Sequence, residues 1–166
     1  MASFLPWLEA TELSVWVREA PIVWAFPAVI SCHTVGMGLV AGISAAIDLR
    51  ILGFAPRVPL METRRFLPVM WFGFWLNAIS GVGLLIAYPT KAVTNPVFYL
   101  KLSFIALALV FFRGIERRVF GEPRLDEAPV PRNGRVLAAA SLVCWAGAIT
   151  AGRLLAYTYK HLMSGE

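Results

Sequence analysis

His33, Asn77, Lys101 and Arg153 are the side chains of this 166-residue sequence that can ionise or hydrogen-bond from within stretches otherwise built of apolar residues. Such groups are costly in hydrocarbon and are functional candidates for that reason. A neutral imidazole carries one N–H and one lone pair, so His33 needs a backbone carbonyl, a side chain on another helix or a metal ion. Gly36, three residues on, removes a side chain beside the histidine and would let a flat ring system approach, or else, with Gly38 and Gly42, permits close helix packing. Lys101 taken alone can extend its stem to the headgroups, whereas Arg153, deeper from its helix end, is expected to face the interior. Together they place two cations that could neutralise a buried anion, either porphyrin propionates or lipid phosphates. Asn77 shares a helix face with Met70, Gly73, Gly81 and Leu84, which predicts an inward-pointing face. It reads as interhelical glue or as a group supporting a cofactor site.

Spacing limits which residues can share a metal. His161 follows the last apolar stretch, roughly 16 Å along the membrane normal from His33, too far for one iron to bridge. Met37 lies one helical turn from His33 on the same face and cannot sit opposite it. Met70 or a five-coordinate iron remain. Cys32, His33 and Met37 supply the soft ligands that a copper or small-cation conduit would need. The expected metal ligand is therefore His33, with Lys101, Arg153, Asn77 and Gly36 around the cofactor; no catalytic residue is identifiable.

The elements that must carry these groups are long and apolar. Hydrophobic residues make up 58% of the chain and charged ones 15%, with a mean hydropathy of +0.69. Soluble domains carry about a quarter charged residues, so the composition excludes most soluble enzymes and also disorder. Four stretches, about 22–47, 66–88, 97–115 and 136–159, reach the roughly 20 residues that a helix needs to cross a bilayer. Helices alone satisfy their backbone inside one segment. The expected fold is all-α, a single membrane domain over residues 1–166 forming a four-helix bundle. Phe4, Leu5, Leu8, Val15 and Trp16, with Glu9, Glu12 and Glu19 elsewhere, predict an N-terminal interfacial helix.

Basic residues set the expected direction. The first and third connections and their flanks hold ten (Arg50, Arg57, Arg64, Arg65, Arg113, Arg117, Arg118, Arg124, Arg132 and Arg135), against Arg18, Lys91 and Lys160 on the other side. Basic loops stay in the cytoplasm, so both termini are expected outside. Tyr88, Tyr99, Tyr157 and Tyr159 then form a belt at the outer helix ends. The net charge of +5 is accounted for by topology, and nucleic acid is not an expected partner. Cys32 and Cys144 make no disulfide framework, and 116–135 contains no nucleotide or catalytic motif.

Two segments resemble a known pattern. Phe26–Leu52, FPAVISCHTVGMGLVAGISAAIDLRIL, resembles the first span of small bacterial four-helix membrane proteins in which a histidine precedes a Gly-rich helix and a basic loop. Asn95–Ala108, NPVFYLKLSFIALA, is similar to their third span, with its lysine before leucine. These proteins include the bacterial membrane protoporphyrinogen oxidase and the membrane domain of copper-resistance protein D. The whole chain also resembles an uncharacterised bacterial family beginning WLExTxLSxWVRE. The oxidase resemblance implies haem b carried by the first-span histidine, here His33, with the lysine, here Lys101, near the site. The copper resemblance implies passage of copper. The oxidase's Trp and Arg residues after the histidine helix do not recur in the same arrangement, so haem is carried over rather than protoporphyrinogen oxidation. The expectation is a haem b protein of the bacterial inner membrane, active in electron transfer or as an oxidoreductase. Its expected partners are the bilayer and a quinone or membrane redox partner. The alternatives are a copper or small-cation transporter and a cofactor-free accessory subunit of a homo-oligomer or larger membrane complex.

Overall fold

The computed structural model describes residues 7, 10–12, 14–15, 25–121 and 129–164. Four helices carry the architecture: α1 (Ala25–Leu52), α2 (Leu67–Ala87), α3 (Pro96–Arg118) and α4 (Arg132–Ser164). No strand occurs among the described residues. The stretches Phe26–Leu52, Leu60–Ala87, Pro96–Arg118 and Arg132–Leu155 are long and apolar enough to cross a membrane. The chain is an all-α membrane four-helix bundle.

The outward faces fit that solvent. On α2, Phe72, Trp75, Ile79 and Val82 are each more than half exposed and recur at helical spacing. An apolar stripe of this kind is unfavourable in water, and in lipid it is an ordinary surface.

Helix ends are set by local chemistry. α1 stops at Gly53, whose φ of 101° suits a residue without Cβ. Its N–H donates to Arg50 O and the N–H of Phe54 to Leu49 O, both at 3.1 Å, the paired bonds of a Schellman stop. The helix therefore runs past Ile47, where the span was expected to end, and takes in Asp48 and Arg50. The connection beyond it folds into a short helix, Leu60–Thr63, and a 3-10 turn, Arg64–Phe66. α3 starts at Asn95–Pro96: the Asn95 side chain accepts the N–H of Val97 at 3.0 Å, and proline fills the first helical position, where no N–H is needed. That start fixes Lys101 about 7 Å into the helix.

α2 packs along α1, α3 along α4, and α1 against α4 joins the two hairpins. Phe26 and Tyr88 meet edge to face, with centroids 6.0 Å apart, tying the start of α1 to the end of α2. The core, including Ile47, Ile51, Met70, Phe112 and Ile115, fills the half of the bundle next to the basic connections. The predicted interfacial helix lies largely outside the described residues, as does the middle of the third connection, 122–128. Ser14, which is described, is buried and donates to Ala87 O at 3.4 Å.

Candidate functional site

His33 lies seven residues in from Phe26, about 10 Å along α1. The expected start of the span at Ile22 lies outside the described residues. Its Nδ1 stands 3.0 Å from Asn77 O. A carbonyl only accepts, so Nδ1 carries the proton and Nε2 the lone pair. Ser80 Oγ, 3.3 Å from Nδ1, already donates to Leu76 O at 2.6 Å and accepts a share of the same proton. Asn77 returns the bond, its Nδ2 donating to His33 O at 2.8 Å. The two residues thus clamp α1 to α2 through reciprocal bonds from side chain to backbone.

Glycines permit the clamp. A Cβ on Gly36 would stand 2.6 Å from Asn77 N and 2.8 Å from Gly73 O, and one on Gly73 would stand 2.5 Å from Leu39 Cβ. Of the two readings of Gly36, close helix packing holds and room for a flat ring does not, because the backbone of α2 fills that space. Gly81 faces the imidazole itself, where a Cβ would lie 3.1 Å from His33 Cε1. The inward face of α2 is therefore as the spacing predicted.

The other side of α1 is open. A groove of about 760 Å³ runs between α1 and α4. Its α1 wall includes His33, Met37, Gly38, Ala41 and Gly42, and its α4 wall includes Trp145 and Gly152. A Cβ on Gly38 or Gly42 would meet nothing within 4 Å. The Gly38-x-x-x-Gly42 spacing, which usually marks helix packing, here thins one wall of a groove instead. The volume falls within the usual range of small-molecule and cofactor sites.

Lys101 reaches this groove from α3. It is half-buried, its stem lies against Gly152 with Cε 3.7 Å from the position of a Cβ there, and its Nζ donates to His33 Nε2 at 3.3 Å. The ammonium turns inward rather than to the headgroups, a correction that follows from the room Gly152 leaves for the stem. Arg153 also lines the groove, but it is exposed at the rim and does not face the interior as expected. Met70 is buried in the core and lies away from the groove, and Cys32 is exposed and outside it. Both cysteines are free. His161 lies on α4 eight residues beyond Arg153, about 12 Å further along the axis, which keeps it distant from His33. Among the described residues no group of three or more His, Cys, Asp and Glu side chains could hold a metal.

Of the five expected cofactor residues, His33, Lys101 and Arg153 line the groove and Asn77 supports the imidazole from behind, while Gly36 belongs to the helix crossing. Ser80 is an addition. A mid-helix serine ordinarily bonds the carbonyl one turn back and so carries no sequence signal; Ser80 does so and also touches the imidazole. A second polar group joins buried Asp48, one residue beyond the expected end of the first span, to Ser44 and Ser141 inside the spans. The chain matches no family model, no curated protein and no solved structure.

The donor set suits one planar group held by one imidazole. Metal-binding histidines commonly donate their second N–H to a carbonyl, which fixes ring and tautomer, and the His33–Asn77 bond has that form. Nε2 is directed to the groove side, where Lys101 meets it. The Gly38 and Gly42 wall leaves room beside it, and two cations stand at the same end. The Lys101 ammonium holds the lone pair that an iron would take, so ligation and the Lys101 bond exclude one another.

Proposed function

We propose that the chain is a haem b protein of the bacterial cytoplasmic membrane that takes part in electron transfer or related redox chemistry, with both termini outside and a quinone or a membrane protein as redox partner. The observation that carries this reading is the anchored imidazole of His33, whose lone pair opens on a glycine-walled groove. When bound, the haem supplies one-electron chemistry. His33 Nε2 would hold the haem iron. Asn77 O and Ser80 Oγ hold the ring in the tautomer that puts the lone pair on Nε2. Lys101, displaced from Nε2, and Arg153 would pair with the propionates as charge-assisted donors. The largely apolar walls would lower the local dielectric around the group.

The test is a reduced-minus-oxidised absorption spectrum of protein purified from haem-replete cells. The haem reading expects a b-type difference spectrum at about one haem per chain, and a colourless preparation contradicts it.

A second reading is favoured by the Lys101–His33 bond, which satisfies the imidazole with protein groups alone. In that reading the chain is a cofactor-free accessory subunit docking on a larger membrane complex. Stoichiometric co-purification with a partner, without pigment, would support it.

A further inference from the structure

The most deeply buried ionisable group among the described residues lies elsewhere. Asp48 is 0% exposed, about 22 Å along α1 from His33, in the half of the bundle next to the basic connections. Ser44 on α1 and Ser141 on α4 lie beside its carboxylate, and both are also 0% exposed. Neither carboxylate oxygen has a partner at hydrogen-bond geometry, and Ser141 Oγ has none. Among the described residues no cation pairs with Asp48, since the ion pairs there are Arg65–Glu62 and Arg113–Glu116. Trp145 holds the fourth oxygen in place, its Nε1 donating to Ser44 Oγ at 2.9 Å and leaving that hydroxyl one lone pair to offer.

A buried carboxylate with both oxygens unsatisfied is among the costliest arrangements in a protein interior, and such groups persist when paired or coordinated. The cluster supplies only oxygens: two from Asp48 and one from each serine. Oxygen donors select hard cations over copper, zinc or iron. One carboxylate balances one positive charge, whereas a divalent ion would leave a net charge in a low-dielectric interior.

We propose that Asp48, Ser44 and Ser141 form a binding site for a single sodium ion between α1 and α4. The site links two helices that otherwise flank the groove, so occupancy fastens the joint between the two hairpins. It stands whatever fills the groove at His33.

The experiment uses the full chain in lipid nanodiscs, with sodium chloride replacing choline chloride at constant ionic strength and pH. Equilibrium binding of radioactive sodium should saturate at one ion per chain, and the thermal midpoint should rise with sodium and then level off. Asp48→Asn should weaken sodium binding at least ~100-fold, since it removes the charged ligand. Ser141→Ala should raise the half-saturating concentration roughly tenfold, the effect of one lost ligand oxygen. If Asp48→Asn does not fold, the binding stoichiometry of the unaltered chain and the Ser141→Ala shift decide the matter. Absence of sodium binding overturns the proposal, as does a response unchanged in Ser141→Ala and Asp48→Asn. A midpoint that follows pH but ignores sodium also overturns it, and then identifies the carboxyl as holding a proton.

Discussion

Replacing Gly36 by alanine tests how tightly α1 and α2 are bound around the histidine. The added methyl would lie 2.6 Å from Asn77 N and 2.8 Å from Gly73 O, both backbone atoms that no rotamer change can move aside. Non-bonded heavy atoms rest about 3.5 Å apart, so the helices must separate by roughly 0.9 Å. That displacement takes the 3.0 Å His33 Nδ1–Asn77 O bond and the 2.8 Å Asn77 Nδ2–His33 O bond beyond useful range. Overpacking costs about 1–3 kcal/mol, and two interhelical bonds in a membrane protein contribute about 0.6 kcal/mol each. The sum is roughly 2–4 kcal/mol, which for a chain of this size lowers the thermal midpoint by on the order of 10 °C. The control is Gly38→Ala, two residues away, where a Cβ meets nothing within 4 Å and stability should change by less than ~0.5 kcal/mol. Both are read by thermal unfolding of purified protein in micelles. A Gly36→Ala protein as stable as the unaltered chain, with Gly38→Ala the weaker of the two, would refute the assignment of packed and open faces.

Arg153→Gln should leave the thermal midpoint nearly unchanged, since the residue is exposed at the rim, yet weaken hemin binding about tenfold through loss of a charge-assisted contact; hemin titration of the two proteins checks it. Trp145→Phe removes the indole bond to Ser44 and should lower stability by about 1 kcal/mol, read by denaturant unfolding. Asn95→Ala removes the cap that accepts from Val97 N and should cost about 1 kcal/mol, measurable as a lower unfolding midpoint.

Much of the bundle was legible because apolar length and a lipid solvent leave few alternatives. The inward face of α2 was legible too, since a polar Asn77 and small Gly73 and Gly81 at helical spacing have one plausible direction. The site was less so. Gly36 and Gly38 are the same residue type, yet they point about 200° apart around the axis, and only the arrangement of neighbours makes one a crossing point and the other a groove wall. A lysine stem can turn either way from its helix, so depth alone predicted a headgroup contact for Lys101, while Gly152 left room for the opposite one. Asp48 was hidden by a boundary. The Gly53 stop that places it inside α1 is visible in the sequence, but only when weighed as a helix terminator ahead of the charged residues that precede it.

The central claim, that His33 Nε2 is the ligand of a haem iron, is tested most directly by hemin titration of the unaltered chain and of His33→Gly, with and without added imidazole. The account predicts one hemin per unaltered chain, loss of that binding in His33→Gly, and its return when free imidazole fills the space of the missing ring. A His33→Gly protein that binds hemin with an unchanged spectrum and no response to imidazole would contradict it.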